Sequence, residues 1–267
     1  MVNIDNWGNM NRIIFEQSEV TPDGRVTFGG TRAEHVLAVL HGVVGQTLKT
    51  GVVDGSIGTS TIEEIAPLPP DPATGLPQGR ITVRVSHTAA ALPPWIDLLL
   101  APPRPRAFKR LLPQLAALGV RRIVLVGAEK VEKAFWGAQA LKPEIYRPLF
   151  LDGLMQAGVT AMPTISIEKS FRRYAMSGRL AADFPTSVRI VAHPGADHSP
   201  PPAPSAPSSP DELPLLAVGP EGGWTDDEIA LLESLFFRRH SLGPRILRTD
   251  TAIIALLAQL MPLFERA

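Results

Sequence analysis

The sequence predicts an α/β protein: a C-terminal domain with a largely parallel sheet, preceded by a small β-barrel. Three observations carry this. From Trp95 onward, apolar strand-length runs alternate with helical patterns, as in strands joined by crossover helices. Before that point the chain reads as short strands broken at glycines, with one helix among them. The length of 267 residues and a hydrophobic content of 45% suffice for a buried core in one large domain or two smaller ones.

In the N-terminal part, Arg12–Phe15 and Arg25–Phe28 are strand-like. Between them Thr21-Pro-Asp-Gly24 is a turn, with Pro presetting φ and Gly taking a positive one. Arg32–Leu40 places Val36, Leu37, Val39 and Leu40 at helical spacing. Gln46–Gly55 and Ile57–Ile65 read as further strands. Ala66–Gly79, rich in Pro and Gly, reads as a loop or the approach to a boundary. Arg80–Val85 alternates polar and apolar side chains and adds one more strand. The division is set at residues 1–88 and 89–267.

In the C-terminal part the expected strands are Ile96–Leu100, Arg122–Val126, Val188–Ala192 and Leu215–Val218. The expected helices are Arg106–Leu118, ended by Gly119, and Pro143–Ala157, ended by Gly158. Thr225–Phe236 follows, with Thr225 as N-cap and Glu228 completing a capping box. Asp250–Leu260 is the last helix. Pro200–Pro210 is a low-complexity run with polyproline-like character, read as an insertion spanning 194–214 that separates two core strands.

Bulk properties exclude several classes. The formal net charge is zero, so any nucleic-acid surface has to be a local basic patch. There is no cysteine, which removes disulfides and thiolate metal sites. The six histidines, His35, His41, His87, His193, His198 and His240, show no metal-ligand spacing, and no metal is expected. No phosphate-cradling Gly–Lys loop, dinucleotide fingerprint or nucleophile elbow is present. The polar N-terminus lacks a signal-peptide pattern, and the longest apolar stretch, Thr251–Phe264, is too short to span a bilayer. A cytoplasmic protein without membrane attachment is expected.

Two glycine-rich turns remain, Gly219-Pro-Glu-Gly-Gly223 and Leu242-Gly-Pro-Arg-Ile-Leu-Arg-Thr-Asp-Thr-Ala252. Glycine lets backbone amides and carbonyls approach a ligand closely. The first turn follows a strand, where open α/β sheets bind ligands. The second leads into a helix N-terminus. Both also read as tight connections needing positive φ. The interleaved Glu221, Arg245 and Arg248 favour a ligand site.

These two motifs resemble the signature of the RsmE family, ribosomal RNA uridine-N3 methyltransferases of the SPOUT superfamily. Arg32-Ala-Glu-His35 with Val43-Val-Gly-Gln46 resembles that family's N-terminal PUA-like barrel. Leu118-Gly-Val120, Val131–Trp136, Gln156-Ala157 and Pro163 fall in the family's order between the two ends. The resemblance implies a PUA-like β-barrel followed by a SPOUT trefoil-knot methyltransferase domain. It also implies S-adenosylmethionine (SAM) as cofactor, a homodimer, and one uridine in 16S rRNA of the small ribosomal subunit as substrate. Cofactor contacts are expected from Val218, Gly219, Gly222 and Gly223, and from Leu242, Gly243, Ile246, Leu247 and Thr251.

Methylating uridine N3 requires loss of its proton and stabilisation of the anion. Arg248 is the candidate for the electrostatic role, with a structural ion pair as its alternative. Glu221 is the candidate base, with a loop-structuring carboxylate as its alternative. Arg12, Arg25, Arg32 and His35 on the barrel, with Lys109 and Arg110 on the first C-terminal helix, are the expected RNA phosphate contacts. The chain departs from the family at Met155, where Glu is usual, at Val159, where an Arg often stands, and at Asp250, one methylene shorter than the usual Glu. Two other readings compete. One is an RNA-binding protein that keeps the knot without turnover, which would bind cofactor but transfer no methyl. The other is a methyltransferase of another RNA, which mapping of the modified nucleotide would separate.

Overall fold

The computed structural model describes residues 12–186, 188–195 and 212–264, and the chain separates into two units. The first runs to Leu92 and includes Leu154–Met162; the second comprises Pro93–Gly153 and the chain from Pro163 onward. Most of the proline-rich insertion lies outside the described residues.

The first unit contains β1 (Ile13–Phe15), β2 (Arg25–Phe28), α1 (Gly30–Ala38), β3 (Thr47–Val52), β4 (Ile57–Leu68) and β5 (Gln78–Ala89). Its five strands lie in the order β1-β3-β4-β5-β2, with β1 parallel to β3 and the other pairs antiparallel. The alternation in β2 buries Val26 and Phe28 and exposes Arg25 and Thr27, as a half-buried strand requires. Phe15 and Phe28 sit on the two outermost strands, yet their ring centroids are 5.5 Å apart. The sheet is therefore curled, and its concave face holds a core that includes Val36, Leu48, Ile62, Ile81 and Val83. The Pro/Gly-rich segment is the tip of a long hairpin: β4 continues to Leu68 and pairs with Gln78. Asp71 closes that tip by accepting the amide N–H groups of Ala73 and Thr74, each at 2.8 Å.

The second unit contains β6 (Ile96–Leu100), α2 (Pro105–Ala117), β7 (Val120–Val126), α3 (Pro143–Ala157), β8 (Thr164–Glu168), α4 (Phe171–Met176) and α5 (Arg179–Asp183). They are followed by β9 (Arg189–Ala192), β10 (Leu215–Val218), α6 (Asp226–Ser234), β11 (Arg238–His240) and α7 (Thr249–Phe264). The last turn of α3, from Leu154, belongs to the first unit. Every recorded pairing in the six-stranded sheet is parallel, in the order β11-β9-β10-β6-β7-β8. The central strands β6 and β10 are buried along their whole length, as expected of a parallel sheet covered on both faces. α2 starts with Pro105 in its first turn and buries Phe108, Leu111, Leu112, Leu115 and Ala116, the i, i+3, i+4, i+7, i+8 stripe. Thr225 caps α6 by accepting the Glu228 amide, and the Glu228 carboxylate accepts the Thr225 amide in return. α6 stops at Ser234, before the expected Phe236, because Phe236 takes φ +67. Among the described residues no helix is long and apolar enough to cross a membrane.

Candidate active site

Because the six strands run parallel, all their carboxyl ends fall on one edge of the sheet. Loops leaving β9, β10 and β11 there, together with the start of α7, enclose a cavity of about 660 Å³. This lies within the range of roughly 300–1,000 Å³ typical of small-molecule sites. Val218, Gly219, Gly222, Gly223, Leu242, Gly243, Ile246 and Leu247 all line it, as does Glu221. Thr251 and Arg248 are not part of the lining. On α7 the residues that face the cavity are Thr249, Ala252 and Leu256, one helical stripe that leaves Thr251 exposed on another face.

The first glycine loop is tightly held. Gly223 has φ +69 and donates its amide to the Pro220 carbonyl at 2.8 Å. A Cβ on Gly219 would lie 3.0 Å from the Trp224 nitrogen, so only Gly lets the loop close on itself there. Two other segments of the same edge, the loops after β6 and β7, brace it. Arg104 donates its amide to Glu221 Oε1 at 2.9 Å. Lys130 Nζ donates to the Gly222 carbonyl at 2.9 Å. Glu129 donates its amide to the capping residue Glu228 at 2.8 Å. One oxygen of Glu221 thus structures the loop. In the second loop, Gly243 has φ +115 and donates to Ser241 Oγ at 3.2 Å.

The lining suits an amphipathic ligand. Ile246 is 89% exposed, and Leu247 joins it as an apolar side chain standing open beside the cleft. Two lining residues carry buried polar atoms without a partner among the described residues, His193 Nδ1 and Trp224 Nε1. Buried polar groups are rarely left unsatisfied, so a ligand that offers hydrogen-bonding atoms fits here. Bare glycine backbone, open apolar side chains and two waiting polar atoms match the demands of an adenosine and a methionine moiety. The sequence reading missed His193, Trp224 and the brace from Lys130. Their lining role depends on strand order, which no local pattern reveals.

Arg248 is exposed, and its side chain makes no hydrogen bond or ion pair among the described residues. The expected RNA-contacting cations fare differently. Arg12 turns inward and donates to the carbonyls of Gly158, Thr50 and Gly58 at 3.2, 2.7 and 2.9 Å. Burial holds its guanidinium below the usual arginine range. Arg25 pairs with Glu63 and Asp23 at 2.7 and 2.8 Å, and the hydrogen bond to Glu63 raises its pKa most. Arg32 pairs with Glu19 and lies over the rings of Phe15 and Phe28. His35 Nε2 is buried without a hydrogen-bond partner among the described residues. Arg110 pairs with Asp250 at 2.8 Å. Lys109 alone of the six is exposed and unpaired among the described residues. Met155 and Val159 lie in the first unit, where the Met155 carbonyl accepts the Arg12 amide at 3.1 Å.

Known proteins extend these observations. The chain is 29% identical over 247 residues to "Ribosomal RNA small subunit methyltransferase E" of Treponema pallidum (strain Nichols), covering 92% of this chain and 88% of that one. A Legionella pneumophila protein, solved with the cofactor SAM bound, superposes with a TM-score of 0.69 at 23% identity, over 94% of this chain and 97% of that one. The ribosomal RNA small subunit methyltransferase E of Neisseria gonorrhoeae, bound to S-adenosyl methionine, gives 0.64 at 19% identity, over 95% and 98%. Both superpositions establish a shared fold. The family model described as an RNA methyltransferase domain matches residues 90–261, well over half of the sequence, and the chain belongs to that RNA methyltransferase family.

Proposed function

We propose that the chain methylates N3 of a uridine in 16S rRNA of the small ribosomal subunit, with S-adenosylmethionine as methyl donor. The observation that carries this is the meeting of both glycine motifs on one cavity, in a chain whose relative of 88% matched length bears the name ribosomal RNA small subunit methyltransferase E. When bound, the cofactor supplies an electrophilic methyl on a sulfonium centre. Gly219, Gly222, Gly223, Leu242, Gly243, Ile246 and Leu247 hold it, with Thr249 in place of Thr251.

The protein's own residues then answer the second demand of the reaction. Uridine N3 carries a proton at neutral pH, and its loss spreads negative charge onto the two uracil carbonyls. Arg248, unpaired among the described residues on the loop that lines the cleft, offers donors to that charge. Glu221 uses Oε1 on the Arg104 amide, and its other oxygen is the candidate acceptor for the N3 proton. Arg248→Gln should lower kcat about 100-fold or more, in the range seen when an oxyanion donor is removed, and leave calorimetric SAM affinity unchanged. An equal loss of cofactor affinity would make Arg248 a cofactor ligand instead.

We read the second unit as a trefoil knot. The chain reaches the edge strand β11 and then returns as α7 to α2, where Arg110 meets Asp250. That return passes the connection between the adjacent strands β6 and β7. The first unit is read as PUA-like on its curled five-stranded sheet, and the protein as a homodimer on the resemblance. The function is tested by transfer of labelled methyl from SAM to small subunits isolated from cells lacking the gene. Incorporation into 16S rRNA is expected; cofactor binding without incorporation would overturn the reading.

A further inference from the structure

The same edge of the parallel sheet carries a second feature outside the cleft. β8 pairs with β7 so that Glu168 lies opposite Val126, and the segment after Glu168 therefore emerges at the carboxyl edge. α4 buries Phe171, Tyr174 and Ala175. Lys169, Arg172 and Arg173 are exposed, and none of their side chains makes a hydrogen bond or ion pair among the described residues. This contrasts with Arg25, Arg84, Arg110 and Arg239, each bonded to a carboxylate. The adjacent acid, Glu168, is engaged by Arg179 at 2.6 Å.

The segment has a firm footing beside the cleft. Phe171 donates its amide to the Gly127 carbonyl at 3.1 Å. Its ring centroid lies 5.1 Å from that of Trp224, a residue of the cavity wall. Tyr174 donates its hydroxyl to Asp183 at 2.7 Å, and Ser170 Oγ accepts the Arg173 amide at 3.3 Å. Three like charges fall within five residues, and none of their side chains is bonded to an acid among the described residues. A fixed, uncompensated cluster of this kind is suited to an anionic polymer, and guanidinium groups match phosphate geometry.

We propose that Lys169, Arg172 and Arg173 form a phosphate-binding track that holds the RNA backbone next to the cofactor cleft. This rests on the reading of the chain as an rRNA methyltransferase, and it locates RNA contacts on cations other than those expected from the sequence.

The test is the full-length triple variant Lys169→Gln/Arg172→Gln/Arg173→Gln. Its binding to small subunits and to a 16S rRNA fragment is followed across a salt series, with SAM affinity measured by calorimetry. Each lost phosphate contact should flatten the dependence of log K on log salt by about one. A slope shallower by about three is expected, with a raised KM for small subunits and unchanged SAM affinity. The paired cations provide the control: Arg25→Gln/Arg84→Gln should leave the slope as in the wild type. Methyl transfer by the wild type with an unchanged slope in the triple variant overturns the track. A slope difference with no methyl transfer by the wild type upholds the track and overturns the rRNA reading. No RNA binding by the wild type overturns both. If the triple variant fails to fold, Arg172→Gln/Arg173→Gln, confined to the exposed face of α4, gives the same test with a slope change of about two.

Discussion

Gly223→Val should abolish S-adenosylmethionine binding while the protein stays folded. Gly223 sits at φ +69, where a β-branched residue is strained by about 1–3 kcal/mol. Nothing lies within 4 Å of where its Cβ would be, so no neighbour is struck in the protein itself. The added side chain instead occupies open space at a position that lines the cavity. The expected result is an affinity lower by at least about 100-fold, roughly 2.7 kcal/mol, measured by calorimetry. Gly178→Ala is the matching control, since Gly178 shares the conformation at φ +77 but caps α5 and does not line the cavity. It should lose some stability and keep full cofactor affinity. Wild-type affinity in Gly223→Val would show that the cofactor lies elsewhere.

Asp97→Ala should be the most destabilising of the single substitutions considered. Asp97 is 1% exposed and accepts from two guanidinium groups, Arg121 at 3.1 and 2.7 Å and Arg122 at 3.3 and 2.7 Å. Arg122 also lies over the Phe184 ring at 4.3 Å. Removing the carboxylate takes a shared acceptor from two half-buried guanidinium groups. Losing one partner of a buried pair costs about 3–5 kcal/mol. The arginines keep part of their hydration, which brings the expectation to about 3 kcal/mol. Urea unfolding would register this, and a loss below about 1 kcal/mol would mean that the network is dispensable. Asp97 lies near the amino end of β6, away from the edge that forms the cleft, so folded variant protein should bind SAM as the wild type does.

What was legible in the sequence follows physical lines. The strand β10 is a continuous apolar run, β6 is apolar but for Asp97, and the α6 capping box is a local chemical signature, so all three were read correctly. β8 and β11 were missed because they are edge strands. β8 holds no buried residue, and β11 is Arg-Arg-His with only His240 buried, so neither shows a buried run. α4 has six residues, too few to display a helical period. Local basicity was visible, but its neutralisation was not. Arg25 meets Glu63 38 residues away, and Arg110 meets Asp250 across 140 residues. The glycine loops were legible as a pair because backbone access is written in the residue type. The resemblance put Thr251 among the cofactor contacts, whereas the phase of α7 presents Thr249 to the cleft.

The most direct test of the account is nucleoside analysis of 16S rRNA from small subunits that lack the modification, after incubation with the protein and S-adenosylmethionine. The account predicts 3-methyluridine at a single site, strongly reduced with Arg248→Gln and absent with Gly223→Val. A different methylated nucleoside, or methylation of another RNA in preference to 16S rRNA, would contradict it.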